Sequence, residues 1–549
     1  MLRITSFVRG ASFCVALSTP ATAQQRAAVP AGTMDILARP VRLEGADVEY
    51  VQMRMQLMRD VNASEAAFSL QAPIVSGGIF GLAERLENVE IADVSGPVPV
   101  QIEDDTPSAS GPPGSRGLGN RHWRATRPVA FPLTITYKAR IWPPGTRSNP
   151  TFMLRAVQGS VSGRGYGFLL TPEDRVNYAA HFRWDMNDLP KGSSTASGLT
   201  DENDVSAPFS TLMNTYVMAG PLHRYPAKGD QDGFIGYWVG SPAWDVPHVM
   251  EWTARIYAYM RTFHSDTAPR VYRVIGRMYP PPAYGGSALD NHFVFNAPAA
   301  SRDSTDQGPL LLLAHEIGHS FIRGLQNPGG GGGGGSNNWF SEGLNEYYAV
   351  ALTLRSGLGP LDLVLGTMNS QARAYYTNPR RNMPADSVAR IGLNDVNVQN
   401  VSYQRGLLFW ADMDARIRAA SKGRRNLDSV VVPMMARARA QTARGRAQGE
   451  QGSRAGGFTP DELVAALAKE IGPAARQQFD AVIVRGETIV PASNAFGPCF
   501  ELRPAKLSTG NASAFDSTAA PRSPAGGGEI DGYLWFRVPA VPDERCRTW

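Results

Sequence analysis

The sequence predicts a multidomain α+β protein: an N-terminal β-sandwich-like domain, a central α/β domain, and a C-terminal helical region with a short β/coil tail. Three observations carry that expectation. At 549 residues the chain exceeds what one hydrophobic core organises. Its first half is strand-like, most clearly in residues 128–142, whose second half alternates apolar and polar with period two. Beyond about Trp244 the apolar spacing becomes helical, and residues 246–263 form a clear run.

In chain order, residues 1–23 read as a signal peptide. Arg3 and Arg9 supply positive charge, residues 10–17 a modest apolar stretch, and Ala21-Thr22-Ala23 a small-x-small cleavage site. The expectation is an exported protein, periplasmic or secreted. Residues 24–225 form the β-domain, interrupted by a long loop over the Ser-, Gly- and Pro-rich residues 104–121. Residues 226–425 form the central domain, where 271–278 read as a short strand leading to Gly285-Gly286. Residues 426–496 are the helical region, with 437–457 read as a solvated Arg-, Gly- and Gln-rich loop. Within that region Thr459-Pro460-Asp461-Glu462 combines an N-cap, a proline at the first helical position and a capping-box glutamate. The helix it starts runs to about Ile471, where Gly472-Pro473 stops it. Residues 497–549 form the tail, with 533–538 strand-like.

Composition sets limits. A hydrophobic content of 43% supports ordinary cores, and the formal net charge of +5 falls to +3 (5 − 2) once cleavage removes Arg3 and Arg9, too small to argue for nucleic acid. No apolar run reaches the ~18 residues that a membrane span needs. Of three cysteines, Cys14 lies in the signal segment. Cys499 and Cys546 remain as an even pair, which in an exported chain favours a disulfide closing the tail.

The chemistry concentrates in Leu310-Leu311-Leu312-Leu313-Ala314-His315-Glu316-Ile317-Gly318-His319 and, downstream, Trp339-Phe340-Ser341-Glu342-Gly343. On a helix, His315 and His319 lie four apart on one face and can reach one metal ion. Glu316 projects beside that metal, where it can take a proton from a bound water. Glu342 is a candidate third ligand, leaving one open zinc position for water. The apolar run before His315 marks a buried helix, and buried imidazoles and carboxylates need partners.

Residues 339–348 resemble the third-ligand helix of the gluzincin (thermolysin-like) zinc metallopeptidases, nearest the glycyl aminopeptidases and their relatives. In the larger thermolysin-like aminopeptidase group the gap from second histidine to ligand glutamate is shorter. Here 22 residues (342 − 319 − 1) separate His319 from Glu342, and the excess falls in the run Gly329 to Gly335. A glycine run at a surface turn tolerates insertion. Tyr403, in Val401-Ser402-Tyr403-Gln404-Arg405-Gly406, resembles the tyrosine that donates to the oxyanion in these families. Glu346 occupies the offset at which a related acid orients a zinc-bound histidine from behind. Gly285, Gly286 and Asp290 correspond to a Gly-rich strand that holds substrate, although the glutamate that grips a free amine in related aminopeptidases is missing.

The resemblance implies a thermolysin-like fold for the central domain and one Zn2+ per chain held by His315, His319 and Glu342. It implies peptide hydrolysis with Glu316 as general base and Tyr403 as oxyanion donor. The expected activity is that of an exported aminopeptidase. Alternatives are an endopeptidase or other amide hydrolase on the same site, or a non-catalytic binding protein that keeps the gluzincin fold.

Overall fold

The structure is a computed structural model. It describes residues 32–43, 47–59, 68–76, 79–105, 119–143, 153–174, 176–279, 285–289, 291–298, 308–326, 337–392, 395–447, 456–509 and 528–549. The signal-peptide segment, Asp290 and the glycine run at 329–335 lie outside these residues.

Among the described residues the N-terminal part has four sheets, the smallest a two-stranded pair of Val75–Ser76 and Ile79–Phe80. The largest has seven strands, in the order Val205–Pro208, Tyr178–Trp184, Gly32–Arg42, Val48–Arg59, Leu133–Arg140, Leu86–Asp93 and Gly96–Val98. Leu133–Arg140 alternates buried and half-buried along its whole length, the period-two pattern of a strand with one face on a core. That core draws Met34, Met55, Ile135 and Phe182 from the seven-stranded sheet and Leu70 and Trp123 from a four-stranded sheet facing it. At the ends of the predicted loop at 104–121, Asp104 on Val100–Asp104 pairs with Arg121 on Asn120–Ala125, and residues 106–118 lie outside the described residues.

The site rests on a separate five-stranded sheet. Its order is His223–Tyr225, Phe234–Val239, Tyr272–Tyr279, His292–Pro298 and Gly285–Leu289. The three middle strands are parallel, and Phe234–Val239 is buried at every position, as a strand covered on both faces should be. Helix α1 (Phe209–Met213) is a short turn of the N-terminal part, and α2 (Val246–Phe263) is the crossover between the first two parallel strands. Asp245 caps α2 by accepting from the His248 amide at 3.0 Å.

Then come α3 (Leu310–Gly318), α4 (Asn338–Ser341), α5 (Gly343–Arg355), α6 (Leu361–Thr377), α7 (Ala385–Ile391) and α8 (Val396–Ala420). Helices α9 (Asp428–Ala447), α10 (Pro460–Ile471) and α11 (Ala474–Gln478) complete the helical region. The capping box at Thr459 is present, with the Glu462 amide donating to Thr459 Oγ1 at 3.2 Å and Glu462 Oε2 accepting from the Thr459 amide at 2.7 Å. One buried core runs from Phe234 through α2–α6 and α8–α10 to Cys546, so the central, helical and tail segments share it. The tail is a hairpin of Phe500–Ser508 and Glu529–Arg537, and Cys499 is disulfide-bonded to Cys546.

The solvated loop expected at 437–457 is corrected in its first part, because residues 437–447 belong to α9. Alanine and arginine are strong helix formers. Ala438 is buried, and Arg439 reaches inward to donate to the Phe321 and His264 carbonyls. Among the described residues no helix is long and apolar enough to cross a membrane.

Candidate metal centre

Helix α3 brings the first two candidate ligands into the interior. Leu310, Leu312, Leu313 and Ile317 are all buried, and each such side chain contributes ~1.5–3 kcal/mol. That burial carries His315 and Glu316 out of water with it. Helix α3 ends at Gly318, but His319 keeps right-handed helical dihedrals as the cap residue, so it stays on the face of His315. The two Nε2 atoms lie 3.1 Å apart.

Glu342 sits at the joint of α4 and α5 and is itself helical. Its Oε2 lies 3.3 Å from His315 Nε2 and 3.3 Å from His319 Nε2. The long gap after His319 does not displace it, because the chain is pinned where the loop leaves and returns. Asn337 Nδ2 donates to the Gln326 carbonyl at 2.8 Å, and the Gln326 amide donates to Phe458 at 2.9 Å.

The three donor atoms fit a metal. They lie within 4.8 Å of one another, and among the described residues buried Glu342 Oε2 has no hydrogen-bond partner despite facing two imidazoles. An orphaned buried oxygen aimed at two ring nitrogens is satisfied at once by a divalent cation between them. Electrostatics agree. Burial opposes charge on His315, yet Glu346 and Glu342 outweigh it and raise its pKa well above the ordinary value. Burial also works against the Glu342 carboxylate, and His319 and His315 still hold its pKa far below the ordinary range. The pocket is thus built for positive charge.

Glu316, one residue after His315, has its pKa pushed up by burial. Its carboxyl lies against Gly286 on the Gly285–Leu289 strand. A Cβ on Gly286 would stand 2.2 Å from Glu316 Oε1, so glycine is what lets the strand approach. Gly285, with φ of 130°, holds a backbone that other residues rarely adopt. Asp290, the sequence's candidate for gripping an amine, lies outside the described residues.

Tyr403 stands on α8 beside the cluster, its ring stacked on His315 with centroids 5.8 Å apart. It is the eighth residue of α8 (403 − 396 + 1). Burial, then Glu342 and Glu316, push its hydroxyl well above the ordinary value, so it stays a neutral donor. Helices α5 and α8 meet glycine on glycine. A Cβ on Gly406 would lie 2.5 Å from Gly343 Cα, and one on Gly343 would lie 2.4 Å from Gly406 Cα.

Behind the ligands, Glu346 Oε1 approaches His315 Nδ1 at 3.2 Å. The approach falls outside hydrogen-bond geometry and is an ion-pair contact. Two neighbours were not singled out from the sequence. Asn345 Nδ2 donates to the His315 carbonyl at 2.6 Å, and Gln371 Nε2 donates to Glu346 Oε2 at 3.3 Å. Gln371 left a trace in the sequence as an amide in an apolar stripe of α6. Asn345 left none.

No protein-family model and no curated protein matches the chain. Solved structures do. An aminopeptidase N family protein from Idiomarina loihiensis matches with a TM-score of 0.64 at 14% identity, covering 86% of this chain and 79% of that one. An M1 zinc metallopeptidase from Deinococcus radiodurans matches at 0.45 and 16%, covering 84% and 94%. Leukotriene A4 hydrolase from Saccharomyces cerevisiae matches at 0.43 and 12%, covering 84% and 68%. The first of these establishes a shared fold.

Proposed function

We propose that this chain is a zinc-dependent peptidase of the gluzincin class, and that it acts as an aminopeptidase. The observation that carries the reading is the convergence of His315 Nε2, His319 Nε2 and Glu342 Oε2, with Glu316 braced beside them by Gly286. The fold shared with an aminopeptidase N family protein supports the finer label.

His315, His319 and Glu342 would hold one Zn2+ per chain. When bound, the zinc supplies a Lewis acid that polarises a substrate carbonyl and lowers the pKa of water. Glu316 accepts the proton of the attacking water and passes it to the leaving amine, a task suited to a carboxyl whose pKa burial has raised. The Tyr403 hydroxyl donates to the oxygen on which negative charge develops. Glu346 holds His315 from its far side. Gly285–Leu289 is the last strand of its sheet among the described residues, so an extended peptide can pair along its outer edge. Gly285 and Gly286 let that backbone come close. Export rests on residues 1–23, and the Cys499–Cys546 disulfide suits an oxidising compartment.

Incubation with a diverse peptide mixture, read by mass spectrometry, tests the reading. The parent should cut, whereas Glu316→Gln should keep zinc and lose ~10²–10⁴-fold in turnover. Near-parental turnover in that variant would overturn the assignment. Free peptides cut and N-acetylated copies spared would support the aminopeptidase label. Equal cutting of both would favour an endopeptidase, the alternative left open because residues 285–289 carry no carboxylate.

A further inference from the structure

Helix α6 carries an amide on a face that is otherwise apolar. Val364, Met368, Gln371 and Tyr375 follow the three- and four-residue spacing of a buried stripe, and all four are buried. Gln371 Nε2 donates to Glu346 Oε2 at 3.3 Å, while its own Oε1 has no hydrogen-bond partner among the described residues. A carboxylate only accepts, so the amide must present its nitrogen there. Glu346 turns its other oxygen to His315 Nδ1 at 3.2 Å, and His315 Nε2 faces Glu342 and His319. A line of polar contacts thus crosses from α6 through α5 to the ligand face of α3.

Packing alone would put leucine or methionine at this position. A buried amide with one half unpaired is costly, so its presence needs a compensating role. The carboxylate of Glu346 can rotate about its terminal torsion, and among the described residues Gln371 is the hydrogen-bond donor that fixes Oε2. Asn345 pins only the main chain of His315.

We propose that Gln371 is a positioning residue for the metal centre: it clamps Glu346 so that the carboxylate faces His315 Nδ1 and the imidazole keeps Nε2 towards the metal. The inference rests on the zinc reading above.

The test uses the full-length parent, Gln371→Met, Glu346→Ala and the double variant. Zinc affinity is measured by competition with a chelator, and the Tm of each metal-free protein is measured alongside. The parent should bind zinc, and Gln371→Met should weaken binding by ~3–30-fold, within or just below the loss typical of removing a partner behind a ligand. The Tm of metal-free Gln371→Met should be unchanged or higher, because methionine fills the space without an unpaired amide. In the Glu346→Ala background the same substitution should change affinity less than ~2-fold. A parent that binds zinc and a Gln371→Met variant of equal affinity would overturn this inference and leave the zinc reading intact. A parent that binds no zinc would overturn both. Equal losses with and without Glu346, or a lowered metal-free Tm in Gln371→Met, would show that Gln371 serves only packing and would overturn its positioning role.

Discussion

Gly286→Ala isolates the brace behind the proposed base. The added Cβ would lie 2.2 Å from Glu316 Oε1, 2.4 Å from its Cδ and 2.5 Å from its Cγ. Ordinary contacts are about 3.5 Å, so something must retreat by more than about 1 Å. Three successive atoms of one side chain are struck, so a twist of the carboxyl end alone does not clear them. Either Glu316 swings away or the strand withdraws from the site. Gly286 does not have a positive φ, so alanine adds no backbone strain and the effect is steric. A displacement near 1 Å at a catalytic group costs on the order of 10²-fold in kcat. Overpacking should also lower stability by ~1–3 kcal/mol. The three nearest atoms all belong to Glu316 and none to a candidate ligand, so zinc content should stay at one per chain. Steady-state hydrolysis of an unblocked peptide, with metal analysis of the same sample, decides the matter. A folded, zinc-loaded Gly286→Ala enzyme with kcat within ~2-fold of the parent would refute the claim that this strand sets the position of Glu316.

Other substitutions read the remaining parts. Glu342→Ala should lower zinc affinity by orders of magnitude, and full zinc in that variant would move the third-ligand role to Glu346. Tyr403→Phe should reduce kcat by ~10²–10³-fold with little change in KM, and a pure KM effect would make Tyr403 a binding residue instead. His264 is buried with neither ring nitrogen hydrogen-bonded among the described residues, and burial, aided by Arg439, lowers its pKa to about 3. The unfolded chain takes up this proton near pH 6.5, whereas the folded chain resists it down to about pH 3. Above pH 6.5 the residue therefore costs nothing, and below it stability falls by up to ~1.4 kcal/mol per pH unit until about pH 3. His264→Phe should flatten that acid limb in denaturant titrations, and an unchanged limb would count against the assignment.

Much of this was readable from local pattern. The helix Val246–Phe263 follows its apolar spacing residue for residue, and Leu133–Arg140 follows its alternation. The cap at Thr459 formed as its side chains require. His315, Glu316 and His319 are local too, because one helix turn brings them together. Glu342 could be named from the sequence only as a candidate carboxylate and Tyr403 only through resemblance, since nothing in residue spacing says that α5 and α8 cross at Gly343 and Gly406. The inner half of 437–457 was misread because arginine-rich composition suggests solvent, whereas Arg439 spends its charge on two interior carbonyls. Gln371 shows the boundary most clearly. Its stripe position was visible, but its partner Glu346 lies 25 residues earlier and meets it only through helix packing.

The pinned loop between α3 and α4 carries a lesson about lineage. Gly324 and Gln326 are tied to Phe458, and Asn337 is tied to Gln326, so the two ends of the connection close on themselves. Residues can accumulate or disappear between those ties without any ligand atom learning of it. The count from His319 to Glu342 can then change without moving the three candidate ligand atoms. A ruler of fixed length laid along the chain would pass over such a centre, whereas three atoms measured in space would find it.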